Sequence, residues 1–208
     1  MTTIYTYNNK VLKNSSNDKW LKKYVDPYNP LGLDPGVFRI QINTSSWQGN
    51  HTATLVPGTT DTYDVQDFVS YSYNRSIVVK VLGANARGIT SFQYLFTSCN
   101  HLTEVALFDT SSATNMGSMF LNCSSLTSIP LFDTSSVTDV SYMFNRCTNV
   151  ESGALAMYNQ FAALGEQITN KGSASGLNSL PFYDCGSNTT TGAAELAQIP
   201  SSWGGTGD

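Results

Sequence analysis

The chain has 208 residues, 40% of them hydrophobic and 12% aromatic, with only 12% charged and a formal net charge of −4. That content supports a packed core and excludes a disordered chain. Lys10, Lys13, Lys19, Lys22 and Lys23 fall in the first 23 residues against one acid, Asp18; the acidic remainder excludes a nucleic-acid partner for the main body, because phosphate binding needs clustered Lys and Arg.

In chain order, the N-terminus MTTIYTYNNK has no basic region followed by an apolar stretch and does not read as a secretory signal. No later run approaches 18 apolar residues, so no membrane insertion is expected. Ile4 to Tyr24 alternate as strands do. Val11-Leu12-Lys13, the polar turn Asn14 to Asp18, and Lys19-Trp20-Leu21-Lys22 predict a β-hairpin over 1–25. A lone hairpin is marginal in water, which makes Lys10, Lys13, Lys19, Trp20, Lys22 and Lys23 the candidate attachment residues. Asp26-Pro27 to Asp34-Pro35-Gly36 reads as a stiff linker, and Val37 to Asn43, Ala53 to Val56 and Ser76 to Leu82 as strands of a small β subdomain over 26–80.

From Ser91 the chain repeats with a period of 24: SFQYLFTSCNHLTEVALFDTSSAT, NMGSMFLNCSSLTSIPLFDTSSVT, DVSYMFNRCTNVESGALAMYNQFA. Repetition at 20 to 29 residues is the signature of leucine-rich-type coils. Leu126 to Phe132 reads as a short strand and Asp133 to Ser136 as a turn. Val140, Met143 and Phe144, like Met116, Met119 and Phe120, sit at i, i+3 and i+4, which predicts a short helix capped by Thr138 or Asp139, or by Thr114 or Asn115. The expected fold class is therefore an α/β repeat, a short leucine-rich-type solenoid over 81–208 with strand, turn and short helix in each coil.

Cys99, Cys123 and Cys147 recur at the same interval of 24 and read as inward-facing structural thiols rather than disulfide or metal ligands, with Phe96, Phe120 and Phe144 as their repeat partners. Asp109 and Asp133 occupy equivalent turns, where capping is the expected role. Glu151 to Ile168 predicts a helical insertion whose apolar side carries Leu155, Tyr158, Phe161 and Ala162. Phe182-Tyr183-Asp184-Cys185 restores the F-x-x-C frame in a widened last coil and C-terminal cap, and Gly204 to Asp208 reads as a flexible tail.

LFDTSSVTDVSYMFNRC resembles the repeat of the BspA-like leucine-rich surface proteins of Bacteroides and Mycoplasma, and FYDCGSNTTTGAAELAQIP resembles the end of such arrays in gut bacteria and their phages. The N-terminal part resembles the hairpins by which phage fibre proteins attach to a virion. The resemblance implies surface adhesion or ligand recognition with no cofactor and no reaction. The few coils and the missing leader move the expectation from a cell wall to a phage particle.

Two isolated histidines, His51 and His101, do not supply a catalytic triad or zinc pairs, and no phosphate loop is present, so no enzyme and no metal site are expected. The expected role is a non-enzymatic bacteriophage head or tail fibre or decoration protein on the virion surface. It would dock on other virion proteins through its N-terminus, form homo-oligomers, and meet a host-surface glycan or protein. The alternative is a secreted or surface-anchored bacterial adhesin. Gln93, Asn100, His101, Glu104, Ser124, Ser125, Ser128 and Asn145, which vary between matching units, are the ligand-contact candidates.

Overall fold

The structure, a computed structural model, describes residues 4–7, 10–14, 31–33, 37–43, 48–54, 78–175 and 178–208. Strands β1 (Ile4–Tyr7) and β2 (Lys10–Asn14) form an antiparallel pair, with Tyr7 opposite Lys10 and Ile4 opposite Asn14. β2 thus pairs with the strand that precedes it, and residues 15–18 of the predicted turn lie outside the described residues. Lys19, Trp20, Lys22 and Lys23 lie outside the described residues.

A second sheet has the order β4-β3-β5-β6, built from β3 (Val37–Asn43), β4 (Gln48–Thr54), β5 (Val78–Ala84) and β6 (Glu104–Val105). β3 pairs antiparallel with β4 and β5, whereas β6 is parallel to β5, with Lys80 opposite Glu104 and Val81 opposite Val105. Phe38 of β3 packs edge-on against Phe96 and Phe108, at 6.2 and 5.3 Å between ring centres. Sheet and following segments thus share one buried core, which runs from Phe38 to Ile199.

The leucine-rich-type solenoid expected from the sequence is not what forms. Helices among the described residues are α1 (Ala154–Leu164) and α2 (Thr190–Leu196), plus single 3₁₀ turns at Gly165–Gln167 and Ser201–Trp203. None falls in the pieces predicted as the short helix of each coil, and the only strand within the 24-residue units is the two-residue β6. Those pieces are tight turns. Tyr94, Ser98, Ser118, Asn122, Tyr142 and Arg146 all adopt positive φ near 60°, which interrupts any helix every four residues.

Two local causes are visible. Asp139 Oδ1 accepts from the Ser141 N–H at 3.0 Å and the Ser141 hydroxyl at 2.8 Å, and Asn115 Oδ1 accepts from the Gly117 N–H at 2.8 Å. The residues expected to cap helices instead fold their side chains back into turns. Alternate N–H groups then leave the segment altogether: Phe92, Tyr94, Phe96 and Ser98 donate to carbonyls of Asn115, Gly117, Met119 and Leu121 at 2.7 to 3.1 Å. Met116 to Asn122 donate in the same register to Asp139 to Asn145, and Val140 to Arg146 to carbonyls between Asn170 and Tyr183. An α-helix would have kept those donors for itself.

Threonines tighten the same ladder. The N–H and hydroxyl of Thr138 both donate to the Thr114 carbonyl, at 2.8 and 3.1 Å, and those of Thr114 to the Thr90 carbonyl, at 2.7 and 3.1 Å. Inside, Phe96, Phe120, Phe144 and Phe182 stack at 5.5, 5.5 and 5.8 Å between successive centres.

α1 is composed largely of strong helix formers and is bounded by glycines at positive φ, Gly153 and Gly165. It is three residues shorter at its start than the predicted segment. Its buried face is Ala154, Met157 and Phe161, with Leu155 and Tyr158 partly covered. The C-terminal stretch is not a loose tail: Gly205 N–H donates to Pro200 and Gly207 N–H to Ile199, and a Cβ on Gly205 would stand 1.9 Å from the Ile199 carbonyl oxygen. Phe182 N–H donates to the Trp203 carbonyl, so this segment closes the ladder. Among the described residues, no helix is long and apolar enough to cross a membrane.

Candidate functional site

In the segment Leu-Phe-Asp-Thr-Ser-Ser, the adjacent Leu and Phe differ in burial. Phe108 and Phe132 go inward and are fully buried, with 5.2 Å between their centres. Leu107 and Leu131 go outward, 40% and 52% exposed. They form an apolar ridge on a surface otherwise rich in hydroxyls. Leucines left about half exposed are available for contacts outside the core.

Beside the ridge, α1 replaces what would be the next copy of the turn, and a groove of about 420 Å³ opens between them. Leu131, Asp133 and Ser135 form one wall and Gln160, Ala163 and Leu164 the other, over the buried Phe132 and Thr134. The Thr134 hydroxyl donates to Gln160 Oε1 at 3.1 Å across the floor. Gln167 Nε2 donates to the carbonyls of Ser135 and Val137 at 2.9 and 3.0 Å, which pins the end of the helical segment to the turn. The walls are therefore tied together and the groove is preorganised.

The two aspartates differ. Asp109 Oδ1 accepts from the Ser111 N–H and hydroxyl at 3.0 and 2.7 Å, while its Oδ2 accepts from Arg87 Nε at 3.4 Å. Partial burial pushes the Asp109 carboxyl up, but these bonds from Ser111 and the charge of Arg87 outweigh it and hold the group below its ordinary range. Asp133 Oδ1 accepts from the Ser135 N–H at 2.9 Å, and no cation among the described residues faces it. Ser111 stands where a copy of Arg87 would have to be.

No curated protein and no solved structure matches this chain. Residues 67–164 match the family model described as Mycoplasma protein of unknown function, DUF285, a family related to the BspA-like repeat proteins. The matched segment contains the ridge, Asp109, Asp133 and the whole groove.

The other sequence candidates are placed as follows. Cys99, Cys123, Cys147 and Cys185 are buried thiols; Cys123 Sγ donates to the Phe96 carbonyl and Cys147 Sγ to that of Phe120, each at 3.1 Å. Burial pushes the Cys147 thiol up to about 12 and that of Cys185 well above its usual range. Phe96, Phe120 and Phe144 form the internal stack. Lys10 and Lys13 lie in β2.

Of the variable positions, Asn145 is buried and donates to the carbonyls of Asn178 and Leu180, and Glu104 pairs with Lys80 at 2.7 Å. None of them lines this groove. The residues that do line it, Leu131, Gln160, Ala163 and Leu164, were missed by the sequence reading. The Leu-Phe adjacency gave no signal, since Leu95 and Phe96, adjacent in the same order, are both buried. Among the described residues no group of His, Cys, Asp and Glu is arranged to hold a metal.

Proposed function

We propose that this chain is a non-enzymatic recognition protein that presents the groove between Leu131–Ser135 and α1 to a protein or glycan on a host surface. The observation that carries it is the exposed leucine ridge beside a groove whose walls are cross-tied by Thr134, Gln160 and Gln167. Exposed apolar side chains next to a fixed concavity supply contact area with little ordering cost, which is what recognition surfaces require.

The carrier in this proposal is a phage particle, as a head or tail fibre or decoration protein. Its support is the β1–β2 hairpin, paired only with itself among the described residues, in a lysine-rich stretch outside the matched family segment. A two-stranded pair gains stability from a docking partner. A bacterial surface adhesin is the second reading, and the match to a Mycoplasma family favours it.

The test uses the purified full chain on intact host cells, beside the variant Ala163→Trp, which fills the groove from an exposed helix position. Retention of the wild type and loss by the variant, with equal thermal melts, supports recognition through the groove; equal retention of both overturns it. Sedimentation with particles addresses the carrier: a chain lacking residues 1–25 should no longer co-sediment, and undiminished incorporation rejects docking through the hairpin.

A further inference from the structure

Asp109 and Asp133 are the same residue of the same six-residue turn, 24 positions apart, each with Oδ1 occupied by the serine two residues on. In the first turn the chain itself supplies a guanidinium to Oδ2, from Arg87. In the second no guanidinium among the described residues reaches Oδ2, Ser111 taking the place of Arg87, and there the carboxylate stands exposed at the lip of the groove. From this pair we infer that the groove takes an extended polypeptide segment of a partner protein, with an arginine side chain reaching Asp133 Oδ2 and a flanking apolar side chain packing on Leu131 and Leu164.

The first turn is an internal precedent for the contact. It shows that a guanidinium approaches this carboxylate without disturbing the Oδ1 bond that shapes the turn. The groove adds what the first turn lacks, an apolar wall opposite the carboxylate, made by Ala163 and Leu164. An arginine is amphipathic in the matching way, with an alkyl stem for the leucines and a planar donor fork for the acid. The acidic excess beyond residue 23 favours approach of a basic segment over an acidic one.

This inference rests on the recognition role of the groove and names its ligand, so the test has to separate the two. The full chain is titrated by fluorescence anisotropy into a short labelled peptide with a Leu-Arg-Leu centre and into its Leu-Gln-Leu counterpart. Surface ion pairs are weak, so the arginine peptide should bind about three- to tenfold more tightly, with the difference shrinking at high salt. Asp133→Asn keeps an oxygen for the Ser135 N–H and should abolish the difference, whereas Asp109→Asn should leave it intact. Equal binding of the two peptides, no binding of either, or an undiminished preference in Asp133→Asn overturns the inference. If the chain still holds to cells and loses that hold in Ala163→Trp, the recognition reading survives and only the basic-peptide assignment falls.

Discussion

The carboxylate of Glu195, on α2, accepts from the backbone N–H of Leu155 at 3.0 Å and from that of Gly153 at 3.3 Å, and so caps α1 from a segment 40 residues away. Gly153, the residue at the helix start, has no side chain to do this. Helix N-termini carry N–H groups without internal partners, and the loss of a capping side chain costs ~0.5–2 kcal/mol. Glu195→Ala should lower stability by about that amount in urea denaturation. Glu195→Gln, which retains an acceptor oxygen, should recover part of it.

Thr110 is buried and its hydroxyl donates to the Asp133 carbonyl at 2.8 Å. It holds the turn that carries the groove carboxylate. Thr110→Val keeps the shape but leaves that carbonyl without its hydroxyl donor, at a cost of about 1–2 kcal/mol by chemical denaturation. An unchanged midpoint would show that the two turns are held together by other contacts.

Phe120 lies at the centre of the aromatic stack, 5.5 Å from both Phe96 and Phe144 and 5.9 Å from Phe132. Its truncation in Phe120→Ala opens a cavity that packing among these three rings keeps from collapsing, and should cost ~3–5 kcal/mol. Leu131→Ala, on the exposed ridge, should leave the thermal midpoint nearly unchanged. Comparison of the two melts separates core leucine and phenylalanine positions from surface ones.

Because Asp109 sits below its ordinary pKa in the folded chain, it contributes stability above its unfolded value, near 3.8, and this is lost as pH falls through the lower folded value. Denaturant midpoints should therefore drop on acidification, and less steeply in Asp109→Asn. An identical pH dependence in the two proteins would show that the bonds from Ser111 and Arg87 do not favour the ionised form.

The thiols act at the opposite end of the scale. Cys147 ionises near 9.0 when exposed and at about 12 when buried, so above pH 9 the unfolded state sheds protons that the folded state keeps, and stability falls as pH rises. Cys185 moves in the same direction. At pH 8 a thiol reagent should leave all four cysteines unmodified in the native protein and label four in urea. Rapid native labelling would contradict their burial.

Much of the interior was legible in the sequence, because burial follows side-chain chemistry that the repeat displays directly. Cys99, Cys123, Cys147 and the phenylalanines three residues before them are spaced so that equivalent positions meet equivalent neighbours, and Val37–Asn43 carries enough β-branched and aromatic character to be read as a strand with its observed limits. The secondary structure of the repeat was not legible. Val140, Met143 and Phe144 are buried in a helix-like pattern, yet a turn with positive φ at Tyr142 and Arg146 buries the same three. The choice between them depends on where the N–H groups of Val140, Tyr142, Phe144 and Arg146 find acceptors, and those acceptors belong to chain 30 to 37 residues further on. The groove likewise needed tertiary structure. Leu131 and Asp133 come from one unit and Gln160, Ala163 and Leu164 from a helix that interrupts the repeat, and only their packing decides that a gap remains between them. Local sequence determined which side chains go inside; long-range hydrogen bonding, which no local pattern encodes, decided the shape in which they do so.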